Sequence, residues 1–302
     1  MLSIVENNYI YPKLKGNKYS SEERGREIFK DEILKELNSG DDIIWIKNRP
    51  LISKKSPFWN GGGMVSQTDL DFFADNLHLI KNDCILISCY GARPIPSSLK
   101  TSSFEKIINC EKIKKWYTQN YDRTIIHEKL YPFPIGLPCV GKWYIKNNKE
   151  HTFNYILNVR DNIKKNEILC DVHLNPNSST MRGSLRGKLN NCKHINKLNK
   201  RVNSVKDFYD LASTYKFIIS VKGLGIDCHR TWEALLLGAI VITNHTPLDV
   251  LYTDLPVIII DNWDELLDYN NLKKWENQVG HLTNKENILE KMKIKYWLNR
   301  VY

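Results

Sequence analysis

The residues best suited to chemistry lie between Lys222 and Glu233, where charged and polar side chains are crowded into twelve positions. Two glycines in this stretch, Gly223 and Gly225, would let the backbone turn tightly and approach a ligand closely. The segment therefore predicts a ligand-binding loop that carries both a cation and a carboxylate. Its candidate binding residues are Lys222, Gly223, Gly225, Asp227, His229, Arg230 and Glu233.

The elements on either side of this loop are predicted to be a buried strand and a short helix. Residues 217–221 form an apolar, β-branched run, as expected for a strand covered on both faces. Asp227 can cap the helix that follows, because the free N–H groups at a helix N-terminus favour an anion. Gly238 suits the end of that helix. The apolar spacing predicts a core face made of Trp232, Leu235, Leu236 and Ala239.

A second strand at residues 240–243 completes a β-loop-α-β unit. Arg230 and Glu233 then lie near the carboxyl end of a parallel strand, where ligands bind in open α/β sheets. An alternative is that these two residues form an ordinary surface pair three positions apart, with the glycines serving only the turn.

The sequence SVKGLGIDCHRTWEALLLGAIVI resembles the signature of exostosin-like glycosyltransferases. In that family a basic residue and a glycine precede a loop that ends in Arg-x-x-Glu-Ala-Leu. The segment belongs there to the C-terminal half of a GT-B fold and holds the nucleotide-sugar donor. The resemblance implies that Lys222 and Arg230 face the diphosphate and that Glu233 accepts hydrogen bonds from the ribose hydroxyls.

Other segments resemble the same family. Residues 115–120 and 131–137 are similar to an aromatic-x-x-Gln-Asn segment and a Pro-Ile-Gly-Leu element that closes the N-terminal half. In the family an arginine also follows the first strand of the C-terminal domain. Residues 167–174 correspond to that strand here. Arg186 corresponds best to this arginine and Arg182 second, although each could be an exposed helix arginine. The loop after Ser88 departs from the family pattern, so no general base is assigned.

The composition indicates a folded globular protein with an excess of positive charge. The chain of 302 residues is 42% hydrophobic and 26% charged, and its net charge is +10. This charge suits a polyanionic partner, which could be nucleic acid, an anionic membrane surface or a nucleotide-sugar. The basic residues are spread along the chain without a lysine–arginine run, so we predict no nucleic-acid partner. No stretch approaches the roughly 18 apolar residues that a membrane span requires.

The cysteines and the N-terminus together predict a cytoplasmic protein. The seven cysteines are odd in number and contain no CxxC motif, which indicates reduced structural thiols. The N-terminus lacks the apolar region of a signal peptide. Sequons at Asn177 and Asn244 would place glycans in presumed ligand-binding loops. Many exostosin-like enzymes are membrane-anchored, and this sequence departs from that pattern.

An Asp-x-Asp sequence at Asp69 and Asp71 has two interpretations. Such a pair binds a metal ion in another large class of glycosyltransferases, where it lies in a loop that closes a strand. Here Thr68 lies three residues before Asp71, and the apolar residues that follow have helical spacing. Acidic residues in the first turn of a helix complement its dipole. We therefore predict a helix cap and no metal site.

The alternation of strands and helices predicts an α/β protein with two Rossmann-like domains facing across a cleft, the GT-B fold. The predicted domains are an acceptor-side domain at 1–150 and a nucleotide-sugar-binding domain at 151–284. The family resemblance implies that a C-terminal helix at 285–302 packs back on the N-terminal domain. Asn244 and Thr246, in the loop after the strand at 240–243, are further candidates for donor binding.

Together these features predict a metal-independent glycosyltransferase that requires no cofactor. It would move a sugar from a nucleotide-sugar, UDP-type, to a hydroxyl of a glycan or other acceptor. Arg186 and Arg230 would stabilise the negative charge of the leaving diphosphate. Three alternatives remain: a transferase-like protein that binds glycan or nucleotide without turnover, a basic nucleic-acid-binding protein, and a nicotinamide-dependent dehydrogenase. The last is disfavoured because the GxGxxG motif lacks its third glycine.

Overall fold

The computed structural model describes two compact units. The described residues are 26–48, 50–51, 67–89, 91–137, 149–171, 185, 188–189, 192–198, 202–223 and 225–300. Of these, the N-terminal unit contains the residues within 12–134 together with 225 and 226. The C-terminal unit contains those within 135–223 and from 227 onward.

A parallel sheet forms the centre of the N-terminal unit. The chain runs through α1 (Arg26–Leu37), β1 (Ile43–Lys47), β2 (Pro50–Leu51), β3 (Gln67–Thr68), α2 (Asp69–Asp75), a 3₁₀ turn (Leu77–Leu79), β4 (Cys84–Cys89), α3 (Thr101–Ile108), β5 (Ile113–Thr118) and β6 (Leu130–Pro132). Four strands pair in the order β1-β4-β5-β6, all parallel, and β2 pairs with β3 in a separate antiparallel ribbon. β4 is nearly continuous apolar sequence because both faces of such a strand are covered.

The start of α2 shows which interpretation of the Asp-x-Asp sequence is correct. Thr68 Oγ1 accepts a hydrogen bond from the Asp71 N–H at 3.1 Å, and Asp71 Oδ2 accepts one from the Thr68 N–H at 2.7 Å. This reciprocal pair is a capping box, which satisfies two N–H groups at the helix start. The predicted helix cap is confirmed.

The C-terminal unit contains a second parallel sheet. Its elements are α4 (Lys149–Val159), β7 (Lys165–Cys170), β8 (Ile195–Lys197), α5 (Val205–Ala212), β9 (Tyr215–Ile219), α6 (His229–Leu236), β10 (Ile240–Asn244), β11 (Val257–Ile260), α7 (Asn270–Val279), α8 (Lys285–Lys291) and α9 (Ile294–Asn299), with 3₁₀ turns at Asp249–Tyr252, Trp263–Leu267 and Gly280–Thr283. The spatial strand order is β8-β7-β9-β10-β11. All four strand pairs are parallel.

This strand order contains a topological switch point. The chain passes from β7 to β8 on one side, and then returns to place β9 on the other side of β7. A crevice opens at the carboxyl ends of two strands whose connections leave in opposite directions, and open α/β sheets bind ligands there. Both units are therefore Rossmann-like α/β folds, as predicted. The predicted GT-B arrangement and domain boundaries stay predictions.

The core face predicted for α6 is confirmed. Trp232, Leu235, Leu236 and Ala239 are fully buried, and Gly238 ends the helix with a φ of 72°. That left-handed backbone costs glycine little, whereas a side chain would make it strained. The position of this helix could be predicted because its apolar residues recur with helical spacing, and because an apolar strand lies on either side of it in the sequence.

Two cations, the buried Arg160 and the half-buried Lys164, bind the carbonyl oxygens at the C-terminal end of α6. Arg160 Nη1 donates to the carbonyl oxygens of Leu236 at 2.7 Å and Leu235 at 3.2 Å. Lys164 Nζ donates to the carbonyl oxygen of Leu237 at 2.8 Å, and burial lowers the pKa of Lys164 to about 8. Carbonyl oxygens at a helix C-terminus carry partial negative charge and lack helical partners, so both cations fix this end of α6.

The chain ends in two short helices, α8 and α9, where a single helix was predicted. Trp297 on α9 packs edge-on against Trp232, with 5.8 Å between ring centroids, and donates from Nε1 to the Lys291 carbonyl oxygen at 2.8 Å. The predicted packing of 285–302 on the N-terminal domain stays a prediction.

Two further properties of the described residues bear on the sequence analysis. Their cysteines are free thiols, and Cys84, Cys89 and Cys170 are buried. Among the helices of these residues, none combines the length and apolar character needed to cross a lipid bilayer.

We predict that Arg160→Ala lowers the free energy of unfolding by about 3 kcal/mol, because it leaves buried carbonyl oxygens without donors. Urea unfolding at pH 7 measures the change. Lys274→Ala, at an exposed position on α7, serves as the control and should change stability by less than about 0.5 kcal/mol. Equal stability of the two variants would show that the Arg160 contacts are energetically unimportant.

Candidate functional site

The candidate site lies at the switch point of the C-terminal sheet. Asp171 directly follows β7, and Ser220, Val221 and Lys222 directly follow β9. The loop then leads into α6, which begins at His229. Parallel strands place their carboxyl ends at one edge of the sheet, so these segments converge with the first turn of α6.

An ionic network joins three side chains at this edge. Arg230 Nη2 lies 2.6 Å from Asp171 Oδ2, and Arg230 Nη1 lies 2.5 Å from Glu233 Oε2. The side chains of Arg230, Asp171 and Glu233 are 26%, 13% and 10% exposed. At such burial the attraction is screened less than on an open surface, so the network holds the guanidinium in one orientation. It is more than an ordinary surface pair.

Two aromatic residues of α5 support this network. The Phe208 ring lies 3.7 Å from the Arg230 guanidinium carbon, which is a cation–π contact. Tyr209 donates from its hydroxyl to Glu233 Oε1 at 2.9 Å, and both of these groups are buried. Both Glu233 oxygens are therefore engaged, one by Arg230 and one by Tyr209.

The electrostatics of the network keep Arg230 charged. Burial by itself lowers the pKa of Arg230, but the carboxylates of Asp171 and Glu233 outweigh it and raise the pKa above the ordinary value. Two carboxylates and one guanidinium leave the three side chains with a formal excess of negative charge. A phosphate that binds Arg230 must therefore compete with a carboxylate already in place.

Asp227 is a buried anchor just before α6, but the prediction that it caps this helix is wrong, because the N-cap residue is Cys228 and no side chain caps the helix. Its Oδ2 accepts hydrogen bonds from the Ile135 N–H at 2.8 Å and from Trp232 Nε1 at 2.9 Å, and its Oδ1 accepts one from the Cys228 N–H at 2.8 Å. Burial raises the pKa of Asp227 to about 6, although these hydrogen bonds and one from Tyr252 act in the opposite direction. The carboxylate thus holds the loop, the helix and the segment around Ile135 together.

His229 is fixed by the same segment. Its Nδ1 lies 2.7 Å from the Gly136 carbonyl oxygen, so Nδ1 carries the proton and donates. Burial lowers the pKa of His229, and the hydrogen bond to Gly136 opposes that shift. The neutral ring then has an unprotonated Nε2, which is a hydrogen-bond acceptor.

Gly225 packs against Asn120 within the N-terminal unit. A Cβ at Gly225 would lie 2.6 Å from Asn120 Oδ1, which is closer than real Cβ contacts. The same oxygen accepts a hydrogen bond from the Ile226 N–H at 2.7 Å, while Asn120 Nδ2 donates to the Gly91 carbonyl oxygen at 2.6 Å. The glycine is therefore required by a neighbouring side chain, and its predicted approach to a ligand stays a prediction.

The remaining candidates are placed as follows. Lys222 is exposed and Gly223 is half-buried in the loop after β9. Thr246, after β10, donates from its N–H to Asp249 Oδ1 at 2.8 Å, and Asn244 Nδ2 donates to the His245 carbonyl oxygen at 3.3 Å. No hydrogen bond or ion pair between described residues joins these two to the Arg230 network. Arg182 and Arg186 lie outside the described residues.

Sequence reasoning missed Asp171, Tyr209 and Asn120. Asp171 could have been found as the acidic residue that ends the buried run before 171, at the carboxyl end of a predicted strand. Asn120 has a φ of 55°, a conformation in which asparagine is enriched, but no sequence pattern marks its contact with Gly225. Tyr209 carries no signal, because its hydroxyl partner is distant in sequence.

Comparisons with known proteins identify no family. No protein-family model and no curated protein sequence matches the chain. A UDP-GlcNAc 2-epimerase from Methanocaldococcus jannaschii is similar with a TM-score of 0.37 and 12% identity, over 91% of this chain and 82% of that one. An alpha1,3-fucosyltransferase is similar with a TM-score of 0.37 and 14% identity, over 87% and 72% of the two chains. At these scores the similarity carries no argument about fold or function.

We predict that the stability contributed by Asp227 decreases as the pH rises. Its folded-state pKa of about 6 lies above the ordinary value of 3.8, so the folded state binds the proton more tightly. This contribution is present below the ordinary pKa and is lost as the pH passes the folded-state pKa, by about 3 kcal/mol in total. Urea unfolding of the wild type and Asp227→Asn across this pH range measures it.

The difference in unfolding free energy between the wild type and Asp227→Asn should change across this range. The exposed Asp31→Asn variant is the control for the removal of one carboxyl group. A pH-independent difference for Asp227→Asn would contradict the raised pKa.

We predict that Gly225→Ala destabilises the protein by about 1–3 kcal/mol, the usual cost of an added methyl group in a packed site. The cost should largely disappear in an Asn120→Gly background, because glycine accepts the φ of 55° and removes the clashing amide. A double-mutant cycle by thermal or urea unfolding measures the coupling. Additive effects of the two substitutions would contradict the packing explanation.

Proposed function

We propose that this protein is an exostosin-like glycosyltransferase that moves a sugar from a nucleotide-sugar, UDP-type, to a hydroxyl of a glycan or other acceptor. One observation carries the proposal: the Arg230 network lies at the switch point of the C-terminal sheet. Two of its three residues, Arg230 and Glu233, come from the segment whose sequence resembles the donor-binding signature, and Asp171 comes from the end of β7. A partly exposed, oriented guanidinium in this position suits a diphosphate, because arginine binds phosphate oxygens in a planar, forked geometry.

The chemistry of this proposal is stabilisation of a leaving group. The leaving diphosphate gains negative charge as the bond to the sugar breaks, and cations held in place beforehand stabilise that charge without reorganising. Lys222 and Arg230 face the diphosphate, and Arg186, with Arg182, adds positive charge from the segment after β7. Gly223 and Gly225 allow the close approach of the backbone, and Asn244 and Thr246 contact the donor.

Asp227 and His229 have a positioning role in this proposal. Their hydrogen bonds to the backbone at Ile135 and Gly136 fix the first turn of α6, on which Arg230 is mounted. We propose further that the chain's own cations replace a metal ion, that no cofactor is needed, and that the enzyme acts in the cytoplasm without a nucleic-acid partner.

A second candidate is binding of a nucleotide or glycan without turnover. The pairing of Arg230 with two carboxylates favours it, because a guanidinium already neutralised contributes less to a developing charge. Release of UDP from UDP-sugars, measured with and without acceptors, separates the two functions. An active transferase releases UDP, and a binding protein retains the intact donor.

We predict that UDP and UDP-sugars raise the melting temperature of the wild type in a thermal-shift panel. Arg230→Ala should abolish the shift, and it should lower the turnover rate by about 10²–10³-fold where turnover occurs. Lys222→Ala serves as a second test, because Lys222 is exposed. It should weaken nucleotide binding, whereas the exposed Lys274→Ala should not. If no nucleoside diphosphate stabilises the wild type, the proposed function is wrong.

A further inference from the structure

We propose that Asp171, and not Glu233, accepts hydrogen bonds from the hydroxyl groups of the bound ligand. The inference rests on the proposed function and assigns a specificity-determining residue to the same site. It replaces the role that the sequence resemblance implies for Glu233 with a role for a residue that the resemblance does not include. The ligand chemistry is a hydroxyl pair, supplied by either the ribose or the sugar of a nucleotide-sugar.

Both oxygens of Glu233 already have partners within the protein. Its Oε2 lies 2.5 Å from Arg230 Nη1, and its Oε1 accepts the Tyr209 hydroxyl at 2.9 Å. A ligand hydroxyl would have to share one of these oxygens with a partner in place, whereas Asp171 has an oxygen without a partner among the described residues. Glu233 therefore acts as the buried support that orients Arg230.

Asp171 is placed and oriented for this role. It is the first residue after β7, at the switch point, and its side chain is 13% exposed. Arg230 engages only Oδ2, at 2.6 Å, and Oδ1 accepts no hydrogen bond from a described residue. An ionised carboxylate only accepts hydrogen bonds, and an oxygen that is fixed by a neighbouring guanidinium is well suited to a hydroxyl donor.

The same contacts preorganise Asp171. Phe208 lies against the face of the Arg230 guanidinium, and Glu233 holds its other nitrogen, so the nitrogen that faces Asp171 has little freedom. A carboxylate held in place before the ligand arrives loses less conformational entropy on binding. Arg230 therefore has two roles. It faces the diphosphate, and it positions Asp171, which accepts hydrogen bonds from the ligand hydroxyls.

The test compares ligands that differ only in hydroxyl groups. Isothermal titration gives the Kd of UDP and of 2′,3′-dideoxy-UDP for the wild type and for Asp171→Asn. Asparagine keeps the size of aspartate but removes its charge. Where the ribose supplies the hydroxyls, we expect Asp171→Asn to lower the affinity for UDP relative to that for dideoxy-UDP by at least about 10-fold, the cost of one charge-assisted hydrogen bond.

A third ligand, UDP-glucose, identifies the source of the hydroxyls. Loss of affinity for both UDP and UDP-glucose assigns Asp171 to the ribose, and loss for UDP-glucose alone assigns it to the sugar. Glu233→Gln is the matched control. It should lower the urea midpoint of unfolding while keeping the wild-type ratio of UDP to dideoxy-UDP affinity.

Several outcomes overturn the inference. Asp171→Asn could weaken all three ligands equally, which would show that Asp171 acts only by positioning Arg230. It could also tighten all three equally, which would show that Asp171 only competes with phosphate for Arg230. Loss of the UDP to dideoxy-UDP ratio in Glu233→Gln alone would return the role to Glu233. Circular dichroism and the unfolding midpoint check that Asp171→Asn is folded, and Asp171→Ala repeats the comparison. A wild type that binds none of the ligands contradicts the proposed function itself.

Discussion

The buried carboxylate of Asp227 is the interaction on which the candidate site depends. It accepts hydrogen bonds from the backbone at Ile135, from the first residues of α6 and from Trp232 in the helix core. A charge in an apolar interior is tolerated only when such donors surround it, so the loop, the helix start and the segment at Ile135 cannot move independently. His229 and Arg230 lie on the first turn of α6, so their positions depend on where this carboxylate sets the start of that helix.

Much of the fold could be predicted because burial leaves a strong pattern in the sequence. The parallel strands β4, β9 and β10 are largely apolar. The helical spacing of the apolar residues from Trp232 to Ala239 marks a face that must be buried. The ends of the strands and helices were less predictable than their positions. The strand predicted at 217–221 runs from Tyr215 to Ile219, since hydrogen bonding between strands decides where pairing stops. The helix predicted at 285–302 is two helices. The break after Lys291 could not be predicted, because no glycine or proline marks it.

The site was predictable only in part, and the reason is physical. Arg230 and Glu233 are adjacent on one helix, so their spacing reveals that they can meet. Asp171 and Tyr209 reach them from other elements, and a sequence without its topology does not show which strand ends lie side by side. The glycine at 225 is instructive in another way. Sequence reasoning assigns it to ligand approach, whereas the structure shows the amide of Asn120 in the space that a Cβ would occupy.

The stacking of Arg230 on Phe208 has a consequence for how this position can vary. The guanidinium lies 3.7 Å from the ring centre while its two terminal nitrogens reach separate carboxylates. Only a flat, forked cation can satisfy these three demands together, since an ammonium group is a compact point charge that cannot span both oxygens. Divergent copies of this chain would therefore retain arginine here even where lysine would conserve the charge.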